Sequence, residues 1–194
     1  MFPSLVAGLG NPGREYESTR HNLGSVVLDA FARRQRVVWR PAPQFESEVA
    51  RWETPAGGTC WLVKPLTFMN ESGRAIGAMA RYHRLETRDL VAVYDDLTIA
   101  LGLVKVTVGG SAGGHNGVSS VIAHLGSDFA RYRVGIGPRT PPEIELADFV
   151  LARFTPEQQI IIQQQLATYV SGLELLLNRG LEPAMNQLNR RDQK

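Results

Sequence analysis

Short apolar runs alternate along this chain with segments of helical periodicity, and that alternation constrains the fold more than any other feature. Ser4–Leu9 is an apolar run ending in glycines and reads as a first strand. Gly24–Arg36 follows with apolar residues at 26, 27, 28, 31 and 32, the spacing of a helix packed on one face. Glu46–Arg51 and Cys60–Lys64 flank the turn-forming Pro55-Ala-Gly-Gly58 and predict a hairpin. Asn70–His83 spaces Ala75, Ile76, Met79, Ala80 and Tyr82 like a helix. Leu90–Tyr94, Leu103–Val108 and Tyr132–Ile136 read as buried strands, with a helix over Val118–Leu125 after a glycine-rich turn. Thr155-Pro156-Glu157 has the N-cap, the proline at the first helical position and the early acid that open a helix. It runs to about Asn178, where Gly180 stops it. Strands alternating with helices predict an α/β fold, a single three-layer α/β/α domain, and the hairpin makes its central β-sheet mixed.

The 194 residues suit one domain over 1–194, since domains commonly hold roughly 100–200 residues. The opening MFPSLVAGLGNPGREY lacks a basic stretch before its apolar run, so it does not read as a signal peptide. No window approaches the ~18 apolar residues of a membrane span. A lone Cys60 fits a reducing compartment, and the expectation is a cytoplasmic protein with no membrane association. The net charge of +2 is small, but it is unevenly placed. Residues 1–42 carry six arginines against three acids, and residues 97–142 carry Lys105, Arg131, Arg133 and Arg139 against Asp128 alone. Residues 143–182 reverse the balance, with six acids against two arginines. Arginine's planar fork suits bidentate phosphate contacts, although a solvated surface rich in arginine gives the same pattern.

Gly8-Leu-Gly10-Asn-Pro-Gly13 matches G-x-G-x-x-G after a strand. A dinucleotide loop, however, runs directly into a helix. Here Pro12 pushes Asn11 out of the helical region, and the next helical pattern begins only near Leu23. Gly109-Gly-Ser-Ala-Gly-Gly-His115-Asn116-Gly117 lacks the Lys-Ser/Thr of a P-loop. Its five glycines leave backbone N–H groups open to a phosphate or a carbonyl, or serve only a sharp strand-to-helix turn. The four histidines, at 21, 83, 115 and 124, have no metal-ligand spacing, so no metal and no cofactor are expected.

In folds of this class ligands gather outside the carboxyl ends of the strands. Asn11 and His21 follow the first strand, Thr67–Asn70 follows the Cys60 strand, and Asp95 and Asp96 end the Leu90 strand. His115-Asn116 follows the Leu103 strand. A carboxylate such as Asp95 could keep one nitrogen of His21 protonated and leave the other to take a proton from water. Asp96 is the competing carboxylate, and since neighbours on a strand face opposite ways, one of the two should point away. Asn11, Asn70 and Asn116 can donate to an oxyanion or accept from a peptide N–H, though turns and caps would account for each alone. With no plausible serine or cysteine nucleophile, the set suits a site that positions water.

These segments, in this order and spacing, resemble the bacterial peptidyl-tRNA hydrolase family over almost the whole chain. They are Gly8–Gly13 with Tyr16, Thr19-Arg-His-Asn-x-Gly24, Lys64-Pro-x-Thr-Phe-Met-Asn-x-Ser-Gly73, Asp95-Asp-Leu97, Gly109–Gly117 and Arg133-Val-Gly-Ile-Gly137. The resemblance implies hydrolysis of the ester between a peptide and the terminal ribose of tRNA, recycling tRNA from stalled translation. By that likeness His21 is the general base, Asp95 the acid that keeps it basic, and Asn11 the residue that distinguishes a blocked α-amino group. Tyr16, Phe68, Asn70 and Asn116 would contact the tRNA end and the peptide, and Lys105 and Arg133 would meet phosphates. The family is metal-independent and usually monomeric. The chain departs from the family at Thr98-Ile-Ala100, where an acid and a proline-containing turn are usual. A non-catalytic RNA-binding relative of the same fold is the alternative, but it would have no reason to keep His21, Asp95, Asn11 and Asn70 together.

Overall fold

The first apolar run forms β1 (Leu5–Gly8), and a single 3-10 turn, Arg20–Asn22, leads into α1 (Leu23–Arg34) in a computed structural model that describes residues 3–190. Residues 1, 2 and 191–194 of the expected 1–194 domain lie outside the described residues. The hairpin is present as β3 (Ser47–Glu53) and β4 (Thr59–Pro65), with Ser47 opposite Pro65 and Glu53 opposite Thr59. Then come α2 (Ser72–Tyr82), β5 (Leu90–Ala100), β6 (Val104–Val108), α3 (Asn116–Leu125), β7 (Ala130–Gly137) and the long α5 (Pro156–Arg179). Three short elements lack a legible pattern in the sequence: β2 (Arg40–Ala42), α4 (Leu146–Leu151) and α6 (Leu181–Leu188). The first has too few residues for any periodicity, and the last follows Gly180 without a polar cap.

The seven strands of the described residues join one sheet in the order β2-β3-β4-β1-β5-β7-β6. β1 pairs in parallel with β4 and β5, and β5 with β7, while β3 and β6 run against their neighbours. The sheet is therefore mixed, as the hairpin predicts. Strand alternation sorts the core into two sides. Val6, Leu62, Val91 and Val93 face α1 and α5, where Phe31, Tyr169 and Leu173 are fully buried. Leu5, Ala7, Val63, Ala92 and Tyr94 face α2 and α3, against Ile76, Met79 and Val121. This is a three-layer α/β/α architecture. Each buried Leu, Ile or Phe contributes roughly 1.5–3 kcal/mol of transfer free energy, so both helical layers are firmly held.

Two sequence expectations are corrected here. Asp95 and Asp96 do not end their strand, because β5 continues to Ala100 with its register shifted between those points. Asp96 Oδ1 accepts hydrogen bonds from the Thr98 N–H at 2.8 Å and its hydroxyl at 2.6 Å, and these local bonds shape the Thr98-Ile-Ala100 segment. The second concerns His115, which does not reach the site by following a parallel strand. β6 is antiparallel and ends at Val108 beside Ala130, the start of β7. The Gly109–Gly114 loop has to carry the chain back along the sheet to the level of Asp95, which lies opposite Val134.

Candidate active site

The parallel strands β1, β4 and β5 bring three segments to one edge. After β1, the Gly10–Gly13 turn is clasped to the 3-10 turn before α1. The Asn11 N–H donates to Asn22 Oδ1 at 2.8 Å, and Asn22 Nδ2 donates to the Asn11 carbonyl at 2.9 Å. After β4, the Met69 N–H donates to Asn11 Oδ1 at 2.8 Å, tying the second segment to the first. That bond fixes the Asn11 amide with Nδ2 as the end left to donate. Helix α1 then sits close against the sheet at Gly24, where a Cβ would lie 2.2 Å from the Val93 carbonyl oxygen. Only glycine permits that approach, and it sets His21 within reach of Asp95, two residues beyond Val93.

Asp95 is the hub. Its side chain is buried, and His21 Nδ1 stands 2.9 Å from Oδ1 and 3.1 Å from Oδ2. His115 Nε2 reaches the same Oδ1 at 3.1 Å. His115 also caps α3, its Nδ1 accepting from the Val118 N–H at 3.2 Å. With Nδ1 accepting there, Nε2 is the ring nitrogen that donates to Asp95. Burial alone would raise the Asp95 carboxyl. The electrostatic pull and hydrogen bond of His115, and then those of His21, outweigh burial and hold it well below the ordinary carboxylate range. Asp95 is thus an ionised acceptor for two imidazole donors, and His21 keeps Nε2 free to accept a proton. Asp96 lines the same cavity as Asp95 but has a different partner, its Oδ2 accepting from Arg133 Nε at 2.8 Å.

His21, Asp95 and His115 offer ligand atoms within 4.8 Å of one another, close enough to consider a metal ion. The donor set does not fit one. A metal on His115 Nε2 would move the ring proton to Nδ1, where it would meet the Val118 N–H head-on.

A cavity of about 600 Å³ opens beside this hub, walled by the Gly109–Asn116 loop, by Tyr94, Arg131 and Arg133 from the sheet, and by Leu146 and Val150 of α4. It brings together His21, Asp95, Asn116 and Arg133 of the expected residues. Asn11 lines a separate cavity of about 360 Å³. Tyr16 and Phe68 lie outside both and meet edge to face with ring centres 6.4 Å apart, Phe68 being 55% exposed. Asn70 is exposed in the turn beside Met69. Lys105 lies opposite Arg133 in the β6–β7 ladder and is half-buried.

Three residues of the site have roles that local sequence did not disclose. His115 is a donor to Asp95, a role legible only once α3 is seen to begin at Asn116 rather than Val118. Arg20 turns its charge away from His21. It lies over the Phe149 ring at 4.4 Å, and donates to the Phe149 carbonyl at 3.2 Å and to Gln158 Oε1 at 2.9 Å. Gln158 also completes the capping box with Thr155 at the start of α5. Arg131 is buried, and both of its terminal nitrogens donate to carbonyls of the glycine loop.

The family model described as peptidyl-tRNA hydrolase matches residues 5–194. The peptidyl-tRNA hydrolase of Gloeobacter violaceus is 43% identical over 188 residues, which cover 96% of this chain and 94% of the relative. That of Anaeromyxobacter dehalogenans is 45% identical over 189 residues, 96% of each chain. Among solved structures, peptidyl-tRNA hydrolase from Acinetobacter baumannii is similar with a TM-score of 0.89 at 30% identity, covering 96% of this chain and 94% of its own.

Proposed function

The chain belongs to the peptidyl-tRNA hydrolase family, and from that membership we propose how its residues perform the hydrolysis of peptidyl-tRNA. The single observation that carries the assignment is the buried carboxylate of Asp95 receiving His21 Nδ1 at 2.9 Å, which leaves Nε2 as a base. His21 Nε2 takes a proton from water as the oxygen attacks the ester carbonyl. The resulting oxyanion accepts from the amide Nδ2 of Asn116, which lines the same cavity as His21. Collapse of the tetrahedral intermediate expels the ribose 3′-oxygen, which takes the proton back from the His21 imidazolium. An ester is already an activated acyl group, so a general base worth roughly 10²–10⁴-fold and one oxyanion donor worth about 3–4 kcal/mol suffice without a covalent intermediate.

Asn11 also supports selectivity for a blocked α-amino group. With Oδ1 taken by the Met69 N–H, the side chain presents N–H to the substrate. It pairs with a peptide carbonyl and gives a free ammonium no acceptor. Half-buried Tyr16 and exposed Phe68 form an aromatic ledge for the terminal adenosine, while the amides of Asn70 and Asn116 hold the peptide backbone. Lys105 and Arg133 share one face of the β6–β7 ladder and meet tRNA phosphates, a contact whose strength falls as salt rises. No helix of the described residues is long and apolar enough to cross a membrane, and the proposed setting is a cytoplasmic monomer acting in tRNA recycling.

The test compares hydrolysis of an N-acetylated aminoacyl-tRNA with that of its unblocked counterpart, chelator present. Release confined to the blocked substrate supports the reading. Equal release from both would overturn the role given to Asn11, and chelator-sensitive release would overturn the metal-free chemistry.

A further inference from the structure

The loop that delivers His115 to Asp95 has little of its own to hold it in shape. Gly109, Gly110, Gly113 and Gly114 have φ of 67°, 90°, 58° and 83°, conformations that glycine reaches freely and other residues do not. The same freedom gives the untied loop many alternative shapes. A backbone bond from the Gly109 N–H to the Phe129 carbonyl anchors its start at 3.2 Å, and another from the His115 N–H to the Ala112 carbonyl closes its end at 3.0 Å. Between them, among the described residues, one side chain fastens the chain. Arg131, on β7, donates from Nη1 to the Ser111 carbonyl and from Nη2 to the Gly110 carbonyl.

We propose that Arg131 is a positioning residue: its two-pronged clasp on the Gly110 and Ser111 carbonyls fixes the glycine loop, and with it the His115–Asp95 hydrogen bond and the placement of Asn116. Three observations support the assignment. Arg131 is only 4% exposed and its guanidinium has no carboxylate partner among the described residues; with Nε unpaired, the two peptide carbonyls and the Phe129 ring at 4.9 Å are what compensate its buried charge. The planar fork presents two donors in fixed directions, which two successive carbonyls can use and a lysine ammonium cannot match. Arg133, two residues on, spends Nε on Asp96 and Nη2 on Thr98 Oγ1, so the two arginines of this strand have separate jobs. Arg131 touches no reacting atom; it acts through His115 and Asn116.

The inference rests on the catalytic roles proposed above, so wild type and His21→Ala are measured beside the Arg131 variants. In single turnovers on N-acetyl-aminoacyl-tRNA, Arg131→Ala and Arg131→Lys should lower the chemical rate about ten- to a hundredfold. That is the scale of a misplacement of roughly 1 Å, and substrate affinity should change less than about threefold. Arg131→Ala leaves a guanidinium-shaped space beside the cavity. Added methylguanidinium should restore rate to this variant and do nothing for His21→Ala. Backbone amides of residues 110–116 should lose exchange protection while those of β5 and β7 keep theirs. If Arg131→Ala fails to fold, the lysine variant carries the test through its rate and exchange pattern. An unchanged rate in a folded variant overturns the proposal. So does a loss confined to affinity and abolished by high salt, which would make Arg131 a phosphate contact. A wild type without activity would instead overturn the catalytic reading.

Discussion

Asp95→Asn tests the hub with a change of one atom. Oδ1 of Asp95 serves two donors, His21 Nδ1 at 2.9 Å and His115 Nε2 at 3.1 Å, and Oδ2 lies 3.1 Å from His21 Nδ1. An amide has one acceptor oxygen. With that oxygen in the Oδ1 position, the new NH2 faces the His21 N–H at the distance of the lost contact. With the amide turned over, it faces the His115 N–H instead. The first arrangement is relieved by moving the His21 proton to Nε2, and the base can then no longer accept. The loss should approach the whole general-base contribution, about 10²–10⁴-fold or roughly 3–5 kcal/mol of barrier. Single-turnover release from N-acetyl-aminoacyl-tRNA at saturating enzyme isolates this step from product release. Substrate affinity should be preserved, since Asp95 is only 3% exposed and does not meet the substrate. The same variant has a signature in acid. The folded-state carboxyl is depressed, so its stabilising contribution is fully present above the unfolded value of about 4 and is lost as pH falls toward the folded one. Wild type should therefore lose stability steeply below about pH 4, and Asp95→Asn should lack that part of the slope. A folded variant with a rate within about fivefold of wild type would show that Asp95 does not hold the His21 tautomer.

Gly24→Ala should cost up to about 3 kcal/mol, at the upper end for overpacking, because its Cβ meets the Val93 and Leu9 carbonyl oxygens rather than a flexible side chain. Calorimetry should show a midpoint lower by roughly 6–12 °C, and activity should fall further than stability because His21 moves with α1. Arg20→Met keeps an apolar stem against Phe149 but strands the Phe149 carbonyl and Gln158. About 2–3 kcal/mol of stability should be lost in denaturant titrations, and KM should rise as α4 loosens from the cavity. Asn11→Ala removes the free amide donor and its tie to Met69. The rate on blocked substrate should fall about ten- to a hundredfold while that on free aminoacyl-tRNA changes little, so discrimination narrows, read in parallel hydrolysis assays.

The layers of this fold were legible wherever a segment was long enough to show a period. Phe31 and Val27 mark the face of α1, and the Thr155-Pro156 start of α5 reads directly from its capping chemistry. The turn between β3 and β4 announces the hairpin. β2 and α4 were not legible, because three- and six-residue elements carry no period of their own and are held by what they pack against. The pairing of His21 with Asp95 could be argued from strand ends and the resemblance together, and the 2.9 Å contact agrees with it. His115 could not, since its strand runs the wrong way and only the path of the glycine loop returns it to the site. Arg20 and Arg131 look alike in sequence to any surface arginine. Their burial follows from contacts with Phe149 and with Gly110, far away along the chain.

The proposed hydrolysis turns on His21 Nε2 removing a proton from water without a metal. The direct measurement is single-turnover hydrolysis of N-acetyl-aminoacyl-tRNA by His21→Ala with chelator present, alongside equilibrium binding of the same tRNA. The rate should be lower by about 10²–10⁴-fold with binding within a few-fold of wild type. Hydrolysis that persists near the wild-type rate in His21→Ala would rule out His21 as the base.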